Sequence, residues 1–251
     1  MRRLIAAGSV LLASLMYTAA AGAITNGAPD GNGHPAVGAL LAQQAYSDGT
    51  WATCTGTLIS PTVFLTAAHC DEGVTNVKVT FDSSYSSATG TTYAGTWHAD
   101  PRFRKAASDP YDIAVVVLDH PITTIAPMKL PAADSLAGLK GGTQFTSVGY
   151  GGQLVTNGPG GKTFHYADIR YVATGGLYTV TPSWLRISMN PSHGDGGTCY
   201  GDSGGPNFLG STDIVAATTV TGDTPCRATN VDYRMDTASA RAFLQQFVTL
   251  P

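Results

Sequence analysis

Short runs dense in β-branched and aromatic residues, each stopped by Gly, Pro, Asn or Asp, recur along this chain and constrain its fold class. WATCTGTLIS (51–60), TVFLTAA (62–68), VKVTF (77–81), IAVVVL (113–118), TQFTSVGY (143–150), HYADIRYVA (165–173) and DIVAATTV (213–220) all have strand character. Their regular spacing favours an all-β sandwich or barrel over a sheet with helical crossovers. One late helix is expected, capped by Asp236 or Thr237 and running to Val248, with Phe243, Leu244, Phe247 and Val248 on one face as a packing element. LPAADSLAGLKGG (130–142) is poor in β-formers and reads as a linker, so two β units of about 100 residues each are expected on either side of it.

The N-terminus has the three-part layout of a secretory signal: Arg2 and Arg3, an apolar run from Leu4 to Met16, then small residues at Ala21 and Ala23. The apolar run is shorter than the roughly 20 residues a membrane span needs. Residues 1–23 are therefore expected to be removed, leaving a secreted, extracellular protein with no membrane attachment; cleavage after Ala21 followed by trimming is the alternative. The paired arginines leave the export route open.

The whole chain carries a formal net charge of −3 with His neutral, and removing the two leader arginines makes it more acidic, so a nucleic-acid-binding surface is not supported. Four cysteines in an exported chain favour disulfides, and four allow three connectivities. Local spacing favours Cys54–Cys70 and Cys199–Cys226, each closing a modest loop. Zinc-ligand spacing is absent, FDSSYSSATG lacks the clustered carboxylates of a calcium loop, and no cofactor is implied.

CYGDSGGP (199–206) places Ser203 between glycines. A serine hydroxyl needs an adjacent base to become nucleophilic, and acyl transfer needs donors aimed at the developing oxyanion. The same composition suits a plain surface turn. It also fits the strand–turn–helix serine elbow of α/β-hydrolases, but that arrangement needs a histidine downstream, and none follows Ser203. TAAHC (66–70) offers His69 as the base, at the end of an apolar strand and beside a cysteine. His34, His98, His120, His165 and His193 lack that setting. YDIAVVVLD (111–119) offers Asp112 at the head of an apolar strand, where a carboxylate is costly unless it accepts hydrogen bonds. Asp109 and Asp119 read as turn residues.

TAAHC, Asp-Ile-Ala and GDSGGP, in that order, resemble the trypsin- and chymotrypsin-like serine peptidases, the S1 family, in their secreted, bacterial-type form; the resemblance runs from Ile24 to about Val248. It implies two packed six-stranded antiparallel β-barrels with a C-terminal α-helix, an N-terminal barrel over 24–130 and a C-terminal barrel over 131–251, with the site in the cleft between them. It further implies Ser203 as nucleophile, His69 as base, Asp112 as its orienting partner, and the N–H groups of Gly201 and Ser203 as the oxyanion hole. Polypeptide substrates, proteinaceous inhibitors and a monomeric state follow from the same resemblance. Tyr150 stands where the family often has tryptophan.

In this resemblance the specificity pocket comprises Gly197, Thr198, Val220, Thr221, Gly222 and Asn230. Gly197 stands at the floor where trypsin-type members place an aspartate, and Asn230 adds a neutral amide, so an Arg or Lys preference is not expected. Gly222 leaves the wall open, whereas a one-residue shift puts Thr221 there and narrows it. An uncharged, apolar or aromatic side chain is expected; Asp195 and Asp223 are the acids that would explain a basic preference. The resemblance also implies that a new Ile24 ammonium pairs with Asp202, so one cut between Ala23 and Ile24 would end export and activate the enzyme. A non-catalytic binding protein on the same fold and an enzyme acting mainly on esters are the alternatives.

Overall fold

The computed structural model describes residues 24–104, 107–158 and 161–251, with the side chains of all of these except 153–158 and 162. The expected export segment, residues 1–23, lies outside the described residues. After a short β1 (Ala28–Pro29), six strands close the first barrel: β2 (Val37–Leu41), β3 (Ala52–Ser60), β4 (Val63–Thr66), β5 (Asn76–Thr80), β6 (Tyr93–Ala99) and β7 (Ala114–Leu118). They run in the order β2-β3-β4-β7-β6-β5, with β5 pairing back to β2.

The remaining strands are β8 (Gln144–Gly149), β9 (Gln153–Gly158), β10 (Gly161–His165), β11 (Tyr171–Val180), β12 (Trp184–Ser188), β13 (Pro206–Leu209), β14 (Val215–Gly222) and β15 (Thr229–Arg234). Pairing in the order β8-β11-β12-β15-β14-β13, with β13 returning to β8, closes the second barrel, while β9 and β10 form a separate hairpin. The described residues thus form an all-β fold, two six-stranded antiparallel barrels with one extra hairpin, followed by one α-helix. The N-terminal segment crosses over: Ala28 and Pro29 pair with Val172 and Tyr171 of β11, and Thr25 bridges Gly197.

Alternation along the strands explains how apolar runs serve two cores at once. Phe64 and Val116 point into the first barrel with Leu58, Val79 and Phe81. Their neighbours Leu65 and Val115 point outward, into a core shared with Val148, Phe208 and Val215 of the second barrel. A strand buried on both faces reads as continuously apolar, which is why IAVVVL lacks polar alternation. The helix, Ala238–Leu244, is shorter than expected from sequence. Thr237 is its N-cap, accepting from Ala240 N at 3.2 Å, and Phe243 and Leu244 join the shared core. Asp236 is instead held by Arg234, at 2.8 Å, and accepts Leu136 N.

HYADIRYVA does not form one strand. β10 ends at His165 and β11 begins at Tyr171 because Asp168, in a left-handed conformation (φ 50°), turns its carboxylate back to accept the N–H groups of Trp51 and Ala52. Tyr150 is buried, and its hydroxyl donates to Asp82 O at 2.7 Å. Burial pushes its pKa up to about 12, against the lowering effect of Arg170.

Candidate active site

His69 sits in a single 3₁₀ turn, Ala68–Cys70, directly after β4. Asp112 precedes β7, which pairs with β4, so the sheet register sets the two residues side by side. Asp112 Oδ2 lies 2.7 Å from His69 Nδ1, and Oδ1 accepts the His69 backbone N–H at 2.9 Å. Both carboxylate oxygens are thereby used on one residue, which satisfies a buried acid and fixes the ring. Tyr111, at φ 53°, is the left-handed residue that turns the chain into Asp112. The Cys54–Cys70 disulfide ties the His69 turn to β3.

Ser203 stands on the opposite barrel in a turn built on close backbone approach. Gly201 has φ 95° and Gly204 has φ 77°. A methyl group on Gly204 would come within 2.1 Å of Thr66 Oγ1 and 2.7 Å of Ala67 N, so only glycine lets this turn rest on the segment that carries His69. Thr55 of β3 then fastens it: Thr55 N donates to Ser203 O at 2.9 Å and Thr55 Oγ1 donates to Gly201 O at 3.0 Å. The same hydroxyl accepts Tyr150 N at 3.0 Å. Nothing in the sequence singled out Thr55; its only signal was a threonine beside a cysteine in a strand.

Among the described residues, the N–H groups of Gly201 and Ser203 donate to no protein acceptor, although their neighbours Asp202, Gly204 and Gly205 all donate. Ser203 Oγ makes no hydrogen bond to His69 among the described residues, and such contacts commonly tighten only when substrate binds.

Asp202 is fully buried beneath this turn. Its oxygens accept Gly151 N at 2.7 Å and Cys199 N at 2.8 Å. Burial pushes its pKa up to about 8, and the two backbone hydrogen bonds offset only part of that. Ile24 is likewise fully buried, packed with Tyr171 and Ala173. Reciprocal backbone hydrogen bonds between Thr25 and Gly197, both 2.9 Å, hold it near the loop that leads to Asp202.

A cavity of about 110 Å³ opens beside Ser203, lined by Thr198, Cys199, Val220, Thr221 and Gly222 among others. Both candidate wall residues, Thr221 and Gly222, line it. Gly197 is backed by buried Met189, whose Cγ would lie 2.5 Å from a methyl group there. Asn230 lies one layer deeper, accepting from Thr198 Oγ1 at 2.6 Å. The Cys199–Cys226 disulfide closes the rim. Asp232, fully buried behind this floor, accepts Asn207 Nδ2 at 2.8 Å. Burial raises its pKa well above the ordinary value, against hydrogen bonds from Thr219, Asn207 and Asn230. The sequence reading missed it, because Asp232 sits in TNVDYR, a polar-looking stretch that gave no strand signal. Asp195 lines a surface hollow with Tyr178 and His193, away from Ser203. Asp223 stands at the cavity rim, its carboxylate accepting the N–H groups of Arg227, Ala228 and Thr229.

Cys54, His69 and Cys70 bring potential metal-ligand atoms together, but the two cysteines are joined to each other. No helix among the described residues is long and apolar enough to cross a membrane.

Two closed six-stranded antiparallel barrels followed by a C-terminal helix define the chymotrypsin-like architecture. The trypsin family model matches residues 28–243, and the chain belongs to that family. It is 27% identical over 187 residues to glucanase inhibitor protein 1 of Phytophthora sojae, covering 69% of each chain. It is 30% identical over 164 residues to a trypsin of Saccharopolyspora erythraea, covering 61% of this chain and 69% of that one. In fold it is similar to HL collagenase, with a TM-score of 0.67 at 21% identity, covering 88% of this chain and 96% of that one.

Proposed function

We propose that this chain is a secreted serine endopeptidase. The observation that carries this reading is the doubly anchored His69–Asp112 pair, at 2.7 and 2.9 Å, directly following the Thr66–Ala67 segment on which the Ser203 turn rests. With Nδ1–H donated to Asp112, the histidine has Nε2 free to accept the Ser203 proton as the hydroxyl attacks a peptide carbonyl. The oxyanion that forms accepts from Gly201 N and Ser203 N, whose positions are fixed before substrate arrives. His69 then returns the proton to the leaving amine, and a water repeats the sequence on the acyl-enzyme.

The 110 Å³ cavity takes the side chain on the acyl side of the cleaved bond. Its floor is neutral, formed by Thr198 with Asn230 behind it, so an uncharged side chain is favoured over Arg or Lys. Its lining is part polar and part apolar, which suits an uncharged apolar or aromatic side chain. Export through residues 1–23, with cleavage before Ile24 supplying an ammonium to Asp202, completes the reading.

The test is turnover of peptide and chromogenic ester substrates with Leu, Phe, Arg or Lys preceding the cleaved bond. Ser203→Ala is expected to abolish both activities, and Asp112→Asn to lower kcat by about 10⁴-fold, the magnitude known for the reference triad of this family. A dominant Arg preference would overturn the pocket assignment, and ester turnover without peptide turnover would favour an esterase.

The relationship to a protein named as a glucanase inhibitor supports a second reading, a non-catalytic binding protein on this fold. Folded protein that hydrolyses neither substrate class would establish it in place of the first.

A further inference from the structure

The Asp112 carboxylate is in contact with one donor residue only. Among the described residues, its hydrogen bonds from His69 Nδ1 at 2.7 Å and His69 N at 2.9 Å are the only ones it accepts. A carboxylate that touches only the residue it must orient does not fix its own place, so that place is set by the chain on either side. After Asp112 comes β7, paired with β4. Before it comes the loop joining β6 to β7, none of whose described residues pairs as a strand.

That loop is held from the second barrel. Trp184 of β12 and Tyr233 of β15 stand directly opposite each other there, their rings in edge contact with centroids 5.9 Å apart. Both reach consecutive residues of the loop: Trp184 Nε1 donates to Ser108 O at 3.1 Å, and the Tyr233 hydroxyl donates to Asp109 Oδ1 at 2.8 Å. Burial, the chief cause, pushes the Tyr233 pKa up, so the phenol keeps the proton it donates. With that proton spent, Ser239 Oγ, 3.1 Å away at the start of the helix, is the donor to the same hydroxyl. Ser239 O also accepts Arg102 Nη2 at 3.3 Å. Arg102 is fixed in turn by two hydrogen bonds to Asp100, at 2.9 and 2.6 Å, and its guanidinium lies 4.3 Å from the centre of the Tyr111 ring. Asp100 N donates to Ile113 O at 3.0 Å, which ties the two ends of the loop together.

Pro110 and Tyr111 alone separate Asp109 from Asp112, and neither has much freedom. Proline fixes its own φ, and Tyr111 is already in the left-handed region at φ 53°. A displacement of Asp109 is therefore passed on to Asp112 rather than absorbed. We propose that Tyr233 and Trp184 are positioning residues for Asp112, so that the barrel carrying Ser203 also sets the orientation of the His69–Asp112 pair on the other barrel. The inference rests on the endopeptidase reading. Asp109, which reads from sequence as a turn residue, is the link through which Tyr233 acts.

The experiment compares variants that delete one hydrogen bond and keep the packing. Tyr233→Phe keeps the ring and removes the hydroxyl, Asp109→Ala removes its partner, and Asp109→Asn keeps an acceptor oxygen. On a peptide with an acyl-side Leu, kcat per folded molecule is expected to fall about 10-fold in Tyr233→Phe and in Asp109→Ala with little change in KM, short of the roughly 100-fold that a 1 Å misplacement can cost. Asp109→Asn is expected to retain most of the parent kcat, and Trp184→Phe to lower it by a smaller factor than Tyr233→Phe. The Tyr233→Phe, Asp109→Ala double variant is expected to lose no more than either single one, because both delete the same bond. Parent-like kcat in both single variants overturns the proposal, whatever their melting temperatures, and a multiplied loss in the double variant overturns the role of Asp109 as the link.

Proton NMR of the His69 Nδ1–H shared with Asp112 reads the same geometry without substrate. Its downfield resonance is expected to move upfield and weaken through solvent exchange in Tyr233→Phe and to persist in Asp109→Asn. That response, in a parent protein that cleaves no peptide, overturns the endopeptidase reading and leaves the positioning role standing. A parent-like resonance in Tyr233→Phe overturns the positioning role alone.

Discussion

Arg170 Nε lies 2.7 Å from Asp30 Oδ2, and both side chains are 1% exposed. The guanidinium belongs to the approach to β11 in the second barrel and Asp30 to the N-terminal segment, so this ion pair bolts the chain start to the barrel it crosses onto. Its remaining donors are also used, on Val37 O, Phe81 O, the Tyr150 hydroxyl and Gly31 O. Burial alone would raise the Asp30 pKa, but hydrogen bonds from His34 and Arg170 outweigh it and leave it below the ordinary value.

Removing one member strands the other in a dry environment, so Arg170→Met or Asp30→Leu is expected to destabilise the protein by about 3–5 kcal/mol. The double variant is expected to be more stable than either single one, because a buried pair gains little over a well-packed apolar replacement. Urea unfolding of the three variants measures this. Since the folded pKa of Asp30 is depressed, its contribution is complete above the unfolded carboxylate value of about 4 and is lost as pH falls through the folded one. The Asp30→Leu variant is therefore expected to lose less of its stability than the parent below about pH 4.

Thr55 is the contact through which the first barrel holds the turn of the second. Thr55→Val preserves the shape but deletes the donor to Gly201 O and the acceptor for buried Tyr150 N. The cost in stability is expected to be about 1–3 kcal/mol, the price of leaving a buried polar group unsatisfied. If the two backbone donors act on an oxyanion, small displacement of Gly201 lowers kcat by about 10- to 100-fold with little change in KM. Steady-state kinetics separates that pattern from a packing defect, which would leave kcat per folded molecule unchanged.

What was legible in the sequence follows from what each element needs. Strands buried on both faces, such as β4 and β7, stood out as apolar runs, and the cysteine pairs followed from spacing. β15 was invisible because Asn230, Asp232 and Arg234 are buried in polar networks, which leaves Tyr233 as its one fully buried apolar side chain. β11 was misplaced because Asp168 spends its side chain on Trp51 and Ala52, a contact made 116 residues or more along the chain. For the site, short motifs indicated His69, Asp112 and Ser203 because glycines and strand ends are local features. Thr55, Met189 and Asp232 depend on packing across barrels or strands, which no local pattern records.

Asp202 gives the last prediction, and its sign follows from burial. The folded state holds this carboxyl's pKa up to about 8, against about 4 when unfolded, so between those values the folded state binds the extra proton. Stability therefore falls as pH rises from about 4 to about 8 and then levels. Asp232, raised by burial in the same direction, adds to the slope, and Tyr166, whose pKa is raised chiefly by burial and also by Asp202, is the nearby phenol that titrates above this range. An ammonium on a terminus beginning at Ile24 would stabilise the Asp202 carboxylate and remove its share of the slope. Melting temperatures from pH 4 to pH 8.5 are expected to fall more steeply for protein that retains residues ahead of Ile24 than for protein starting at Ile24. Asp202→Asn in the longer form is expected to flatten the profile without restoring activity, whereas Asp232→Asn flattens both forms equally. Identical slopes for the two parent forms would separate Ile24 from Asp202 and remove the link between N-terminal cleavage and the shape of the Gly201–Ser203 turn.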